Sequence, residues 1–340
     1  MMKHKWILAF FLGVMGCAFA HPNEEQPILY YSDDCDIKIT PGAGPAIRGD
    51  WNFFLTADFI YWTVRQDGMF YAVSGAGAGA SGSVHDVDWS WDPGFKVAAG
   101  FNLPHDQWDI IAEYTWIHSD ASNTTSQDAA LSTMIPYWVV NGSTDFLTRA
   151  HANWDVHYNN VTLDLGRNAY LSQYMKLRLF AGLHAAWIDQ DYNIEYTLAA
   201  GNESHRLDLD QDFWGIGLRA GLNNAFQFTK NFGFYADLAL SILWGQFDVD
   251  RKERVTVNNV TTSVLDTGAK PHTAEPVANI GAGFRYDVWF SQDRFHFMLQ
   301  AGWEHVLWIL HNEVIKNISE PDHSGDLYLQ GVTIKARFDF

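Results

Sequence analysis

Long stretches of this chain alternate apolar and polar residues with a period of two, and that alternation constrains the fold more than any other feature. In "MKLRLFAGLHAAW" the apolar set is Met175, Leu177, Leu179, Ala181, Leu183, Ala185 and Trp187, set against Lys176, Arg178, Gly182 and His184. "WGIGLRAGL" (214–222), "NFGFYADLALSILW" (231–244) and "ANIGAGFRYDVWF" (278–290) repeat the pattern. A period of two belongs to strands, whose successive side chains point to opposite faces. No helix-period stretch of useful length follows residue 20.

These strands are too long for an ordinary sheet. Typical strands run about five or six residues, whereas a strand crossing a bilayer needs roughly 9–11. Their apolar faces carry Trp187, Trp214, Trp244 and Phe290 near the ends, where an interfacial girdle belongs. The opposite face reads as polar and glycine-rich. The reading is an all-β, transmembrane, antiparallel up-and-down barrel with lipid outside and a lumen inside.

Ten strands are expected, at about 51–64, 94–103, 108–119, 153–166, 174–188, 212–228, 232–247, 277–290, 294–309 and 326–340. Short turns at "PHDQ" (104–107), "RNAYLSQ" (167–173), "TKN" (229–231) and "SQD" (291–293) alternate with long polar stretches at 65–93, 120–152, 189–211, 248–276 and 310–325. Brief periplasmic turns and extended outer loops give that arrangement. An even count puts both chain ends on the periplasmic side. "GMFYAV" (68–73), "NIEYTL" (193–198) and "RVTVNNVTTSVL" (254–265) also look like strands. They either lengthen outer hairpins or raise the count to 12–14. The apolar phase slips near Asn159–Asn160, which suggests a bulge.

The N-terminus carries Lys3, His4 and Lys5, then "WILAFFLGVMG", then Ala18-Phe19-Ala20. This is a signal peptide over 1–20, which directs the chain through the inner membrane. "VMGC" also fits, less well, a lipoprotein site at Cys17. Residues 21–50, rich in Pro, Gly and acid, read as a periplasmic N-terminal segment, and 51–340 as the barrel. The whole chain has formal charge −18, and cleavage would take two lysines with it. Such acidity disfavours nucleic acid as a partner. Cys35 would be the one remaining cysteine, with acidic neighbours Asp33, Asp34 and Asp36 that disfavour a thiolate. No zinc-ligand spacing is present, and no metal or other cofactor is expected.

"LTADFIYW" (55–62), "VDWSWDPGFKVAAGFNLPHDQWDIIAEYTWIHS" (87–119) and "LRLFAGLHAAWIDQDYNIEY" (177–196) resemble the pore-forming major outer membrane protein family of legionellae and chlamydia-like bacteria. The "WDPGFKVAAGFNLPHDQWD" hairpin is the most specific part. The resemblance implies an abundant cell-surface barrel passing small solutes by passive diffusion. Chlamydial relatives are cysteine-rich and cross-linked; one mature cysteine puts such a network in doubt.

Charged residues on the polar phase are the candidate pore lining: Asp58, Lys96, Arg178, Arg219, Asp237, Arg285, Lys335 and Arg337. Set around a constriction they would select ions. The bland alternative is that opposite charges pair inside a narrow barrel and fill it, since about eight strands leave only side-chain room and 16–18 leave a channel. A second candidate is a rim hydrolase built from His85, Asp86, Asp88, His118, Asp120, His151, Asp155 and His157. Acidic and His residues are common in exposed loops, so the chain is not read as an enzyme. A third, weak metal binding by "HPNEE" (21–25) or "DDCD" (33–36), lacks EF-hand spacing.

The chain ends on "VTIKARFDF", whose Phe338 and Phe340 resemble the signal read by outer-membrane assembly machinery. The expected function is a porin for small polar solutes or ions in the bacterial outer membrane, with lipid and assembly machinery as partners. The alternative is a closed surface barrel that binds host ligands or stiffens the envelope through its outer loops.

Overall fold

In a computed structural model, residues 52–340 are described except 76–80, 104–105, 129–131, 139–145, 173, 200–202, 293 and 314–324. The expected signal peptide, the 21–50 segment, Cys35, "HPNEE" and "DDCD" therefore lie outside the described residues. The strands are β1 (Phe53–Gln66), β2 (Ala72–Ser74), β3 (Ser83–His85), β4 (Asp88–Trp89), β5 (Asp92–Asn102), β6 (Trp108–Ser126), β7 (Ile135–Pro136) and β8 (Leu147–Ser172). They continue as β9 (Met175–Leu198), β10 (Glu203–Gln227), β11 (Phe232–Val257), β12 (Val260–Ala269), β13 (His272–Phe290), β14 (Phe295–Asn312) and β15 (Gly325–Asp339).

Ten of these close an antiparallel barrel in the order β1-β5-β6-β8-β9-β10-β11-β13-β14-β15. The last strand pairs with the first from Phe54↔Asp339 to Gln66↔Leu327, so no edge is left open. The segment "RVTVNNVTTSVL" adds no wall strand. Asn258 and Asn259 take positive φ of 50° and 64° in a two-residue hairpin turn. β12 then returns along the outer part of β11, and β13 along the inner part. Several stretches expected as loops are strand as well: β9, β10 and β11 run unbroken through much of 189–211 and 248–257. "NIEYTL" is the outer end of β9.

Two aromatic belts mark the lipid band. Phe53, Phe101, Phe226, Phe232 and Phe290 point outward at the short-turn end; Tyr61, Trp91, Trp187, Trp214, Trp244 and Trp303 form the second ring. Phe53 to Tyr61 and Phe232 to Trp244, at about 3.3 Å per residue and a tilt of about 40°, separate the belts by roughly 20–30 Å. That matches an apolar band about 25 Å tall.

At the outer belt every long strand exchanges its faces. In β1 the outward Leu55, Phe59 and Tyr61 give way to inward Ile60, Trp62 and Val64. In β9 the outward Leu179, Leu183 and Trp187 give way to inward Ile188, Tyr192, Ile194 and Tyr196. Below the belt apolar side chains face lipid; beyond it the outside is water and they turn into the barrel. This also corrects the bulge expected at Asn159–Asn160. Pairing of β8 with β6 and β9 runs through both residues without a register shift, and the slip in apolar phase records the change of solvent.

The outer half of the barrel thus contains a hydrophobic core, contrary to the expectation of a polar interior throughout. Trp62, Trp154, Tyr158, Tyr196, Phe213, Phe247 and Trp308 are each at most 2% exposed. Met69, Tyr71, Val87, Met134 and Trp138 join them from the first two outer connections, where β3, β2 and β7 form a small sheet. Tyr192 and Tyr196 donate hydrogen bonds to the carbonyls of Met69 (2.6 Å) and Tyr71 (2.5 Å), tying this insert to the wall. Burying each such side chain contributes roughly 1.5–3 kcal/mol.

Candidate functional site: the charged half of the lumen

All eight predicted lining residues lie on the inward phase, within the lipid-spanning half. They do not stand alone. Lys335 lies 3.2 Å from Asp58 and 3.6 Å from Glu113. Lys96 reaches across β1 and β15 to pair with Glu304. Arg219 on β10 faces Asp164 on β8 at 3.6 Å. Arg178 makes a fork to Asp109 (2.5–2.9 Å) and donates to Asn223, which in turn donates to Asp237, each at 2.9 Å.

A further cluster lines the periplasmic end of the lumen. The two ring nitrogens of His296 contact Asp339 (2.7 Å) and Asp287 (2.9 Å). Arg285 braces Asp287 and Arg337 braces Asp339, each through two guanidinium nitrogens. The Arg337 guanidinium also lies 3.5 Å from the Phe54 ring centroid. Charges drawn this far from water are stable only when paired and hydrogen-bonded, and a ten-stranded lumen brings facing walls close enough to pair.

The predicted set is mainly basic because it lacks its partners. Glu113, Asp109, Asp164, Asp287, Glu304 and Asp339 share the inward phase with it. Glu304 and Asp339 are readable from alternation; Glu113 is masked by the inward Ile111 and Ile117 beside it. With these acids the wall is close to neutral. It encloses about 230 Å³ of water-sized space, lined by Asp109, Glu113, Arg178, Arg219, Asp237, Lys335 and Arg337 among others, and a smaller pocket of about 60 Å³ beside Lys96 and Glu304. Ile60, Trp62, Tyr158, Leu243 and Trp308, farther along the strands toward the outer end, line neither cavity and are nearly or wholly inaccessible.

The eight rim residues do not converge. His85 hydrogen-bonds Ser74 in the inner insert, burial raises the pKa of nearby Asp86, and the exposed Asp88 on β4 pairs with Ser122 of the wall strand β6. His151 bonds Thr124 on the barrel wall. His118, Asp155 and His157 do meet, with Asp120 as register partner of Asp155, on the outward face of β6 and β8 rather than at the mouth. From there a carboxylate band runs along two ladder rungs through Asp189 and Asp191, Asp210 and Asp212, to Asp248 and Asp250. It sits immediately outside the ring that holds Trp116, Trp187 and Trp214. Burial, then Asp191, raises the pKa of Asp210; burial, then Asp189 and Asp248, raises that of Asp212.

A closed barrel of lipid-height strands with aromatic belts and internally paired charges is an outer-membrane β-barrel protein. The chain belongs to the family described as Legionella pneumophila major outer membrane protein precursor, whose model matches residues 44–340. No curated protein matches it. Among solved structures it is similar to the outer membrane protease OmpT from Escherichia coli, at 10% identity and TM-score 0.43, over 87% of this chain and 98% of that one. A major outer membrane protein from Thermus thermophilus matches at 12% identity and TM-score 0.28, over 84% and 99%. The CymD monoaromatic hydrocarbon channel matches at 11% and 0.32, over 85% and 89%. These likenesses concern the path of the chain and carry nothing about its activity.

Proposed function

We propose that this protein is a closed outer-membrane barrel whose rigid outer half is displayed at the cell surface, serving the envelope and its contacts with host or matrix ligands. The observation that carries this reading is the core of Trp62, Trp154, Tyr158, Phe213, Phe247 and Trp308, which fills the barrel beyond the charged pairs. A passage for polar solutes needs continuous water, and this core interrupts it. The outer half also has the build of a platform. β11 continues from Trp244 to Val257 as paired strand, roughly 30 Å beyond the belt at the rise and tilt of a barrel strand.

The diffusion-porin reading, implied by the family resemblance, keeps one supporting observation. The periplasmic half holds a charged, water-sized cavity, which would be half of a pore if the core moved aside. Its near-balanced charges would then select ions only weakly. Conductance of refolded protein in planar bilayers separates the two. Silence of the wild type is the expected result; regular stepwise, ion-carrying channels would overturn the closed-barrel reading in favour of the porin.

A further inference from the structure

We propose that His118, Asp155 and His157 form a surface site for a first-row transition-metal dication such as Zn²⁺, on the outer wall just beyond the lipid band. His118 on β6 and His157 on β8 are direct register partners. Their rings stack at 4.2 Å between centroids with 22° between planes, so the two imidazoles stand side by side. Asp155 shares their face of β8.

The distances favour a shared ion over hydrogen bonds. Nε2 of His118 lies 3.5 Å from one Asp155 oxygen, and Nε2 of His157 lies 3.5 Å from the other. That exceeds the ordinary N–H···O range of about 2.7–3.2 Å. Zinc bonds of about 2.0–2.2 Å in a tetrahedron hold their donors roughly 3.4 Å apart, close to both measured edges. All three donor atoms fall within 4.8 Å of one another, and turning the two rings out of their stacked arrangement would aim both nitrogens at one ion. A fourth position is left open on the outward side.

Donor chemistry sets the preference. Two imidazoles suit zinc or copper, whereas Ca²⁺ and Mg²⁺ take oxygen ligands. The neighbouring carboxylates Asp189 and Asp212 raise the local cation concentration without distinguishing one dication from another. Nδ1 of His118 has no hydrogen-bond partner. The ring is therefore oriented by stacking alone, and affinity should fall short of closed structural zinc sites.

The test uses the mature chain folded in detergent micelles, titrated calorimetrically with Zn²⁺ and separately with Ca²⁺. One Zn²⁺ site is expected, with Zn²⁺ favoured over Ca²⁺ by more than about tenfold. His118→Gln and His157→Gln should each weaken Zn²⁺ about tenfold or more and leave Ca²⁺ unchanged, whereas Asp212→Asn should weaken both cations alike. Wild-type-like Zn²⁺ binding by both His variants, or equal competition by Ca²⁺, would overturn the site. Should a His variant fail to fold, the Cu²⁺ electron paramagnetic resonance spectrum of the wild type decides. Coupling to two nitrogens supports the proposal, and an all-oxygen spectrum ends it.

Discussion

Lys335 of the last barrel strand lies directly opposite Asp58 of the first, its ammonium 3.2 Å from the carboxylate. The pair spans the seam where the two ends of the barrel meet. Glu113, two strands beyond β1, comes within 3.6 Å of the same ammonium, so one lysine holds together residues far apart in the sequence. Lys335→Met leaves two carboxylates facing each other with Lys96, already paired with Glu304, as the neighbouring cation they share, and breaking a buried pair this way costs about 3–5 kcal/mol. The melting transition, followed by the gel-mobility change of heat-modifiable barrels, should fall clearly. Adding Asp58→Asn should restore part of the loss. A double variant no better than the single one would show that the pair contributes nothing beyond its separate charges.

Trp308 contacts the rings of Tyr158, His184, Phe213 and His311 at the inner boundary of the outer core. Truncating a fully buried Trp costs about 3–5 kcal/mol. It also removes one of the large buried rings that fill the barrel beyond the charged cavity. Trp308→Ala should lower the melting transition and, in a closed barrel, introduce a leak conductance that the wild type lacks. Equal conductance in both proteins would argue against Trp308 as part of a seal.

Phe338 and Phe340 meet edge to face at 4.7 Å between centroids, and Phe340 lies 6.0 Å from Phe53. They belong to the periplasmic belt as well as to the predicted assembly signal. Deleting Phe340 should sharply reduce assembled barrel in cells while leaving refolding in micelles nearly unchanged, because one half-buried terminal ring and its single backbone hydrogen bond to Phe53 contribute little beside the whole wall. Equal losses in both assays would assign Phe340 to stability alone.

The barrel is legible in the sequence because alternation within the lipid band is regular: Leu177 to Trp187 and Trp214 to Leu222 read correctly residue by residue. The outer half is hidden by the same rule. Beyond Trp187, Ile188, Tyr192, Ile194 and Tyr196 are still alternating apolar residues, but in the opposite phase, and only the change from lipid to water outside the wall explains it. "TVNNVT" carries its hairpin turn openly, yet its strand arms cannot be assigned to the wall or to an extension without their partners. In the site, the inward phase of the basic residues and of Asp58, Asp237, Glu304 and Asp339 is readable, but which charge meets which is not, since pairing across the lumen joins β5 to β14 and β8 to β10. No spacing along the chain encodes the meeting of His118 with His157; the register of β6 on β8 does.

The carboxylate band gives a pH dependence with a definite sign. Asp210 and Asp212 both have pKa values raised from the usual 3.8, first by burial and then by neighbouring carboxylates. Between that value and their raised folded values, the folded state binds more protons than the unfolded one, so stability falls as pH rises through the window. His205 adds a second, separate slope. Its pKa is raised from 6.5, first by a hydrogen bond with Glu253, so its contribution is complete below 6.5 and is lost as pH climbs through the folded value. The Asp effects are modest, below about 1 kcal/mol each, because both carboxylates are largely solvent-screened. The outer half should therefore be more stable near pH 5 than near pH 8. Asp210→Asn with Asp212→Asn should flatten the acidic part of the profile, and His205→Asn the part above 6.5. Melting transitions at a series of pH values, at low ionic strength where screening is weakest, provide the check. A profile that rises with pH, or one that the double Asn variant leaves untouched, would mean that the band does not repel itself in the folded protein.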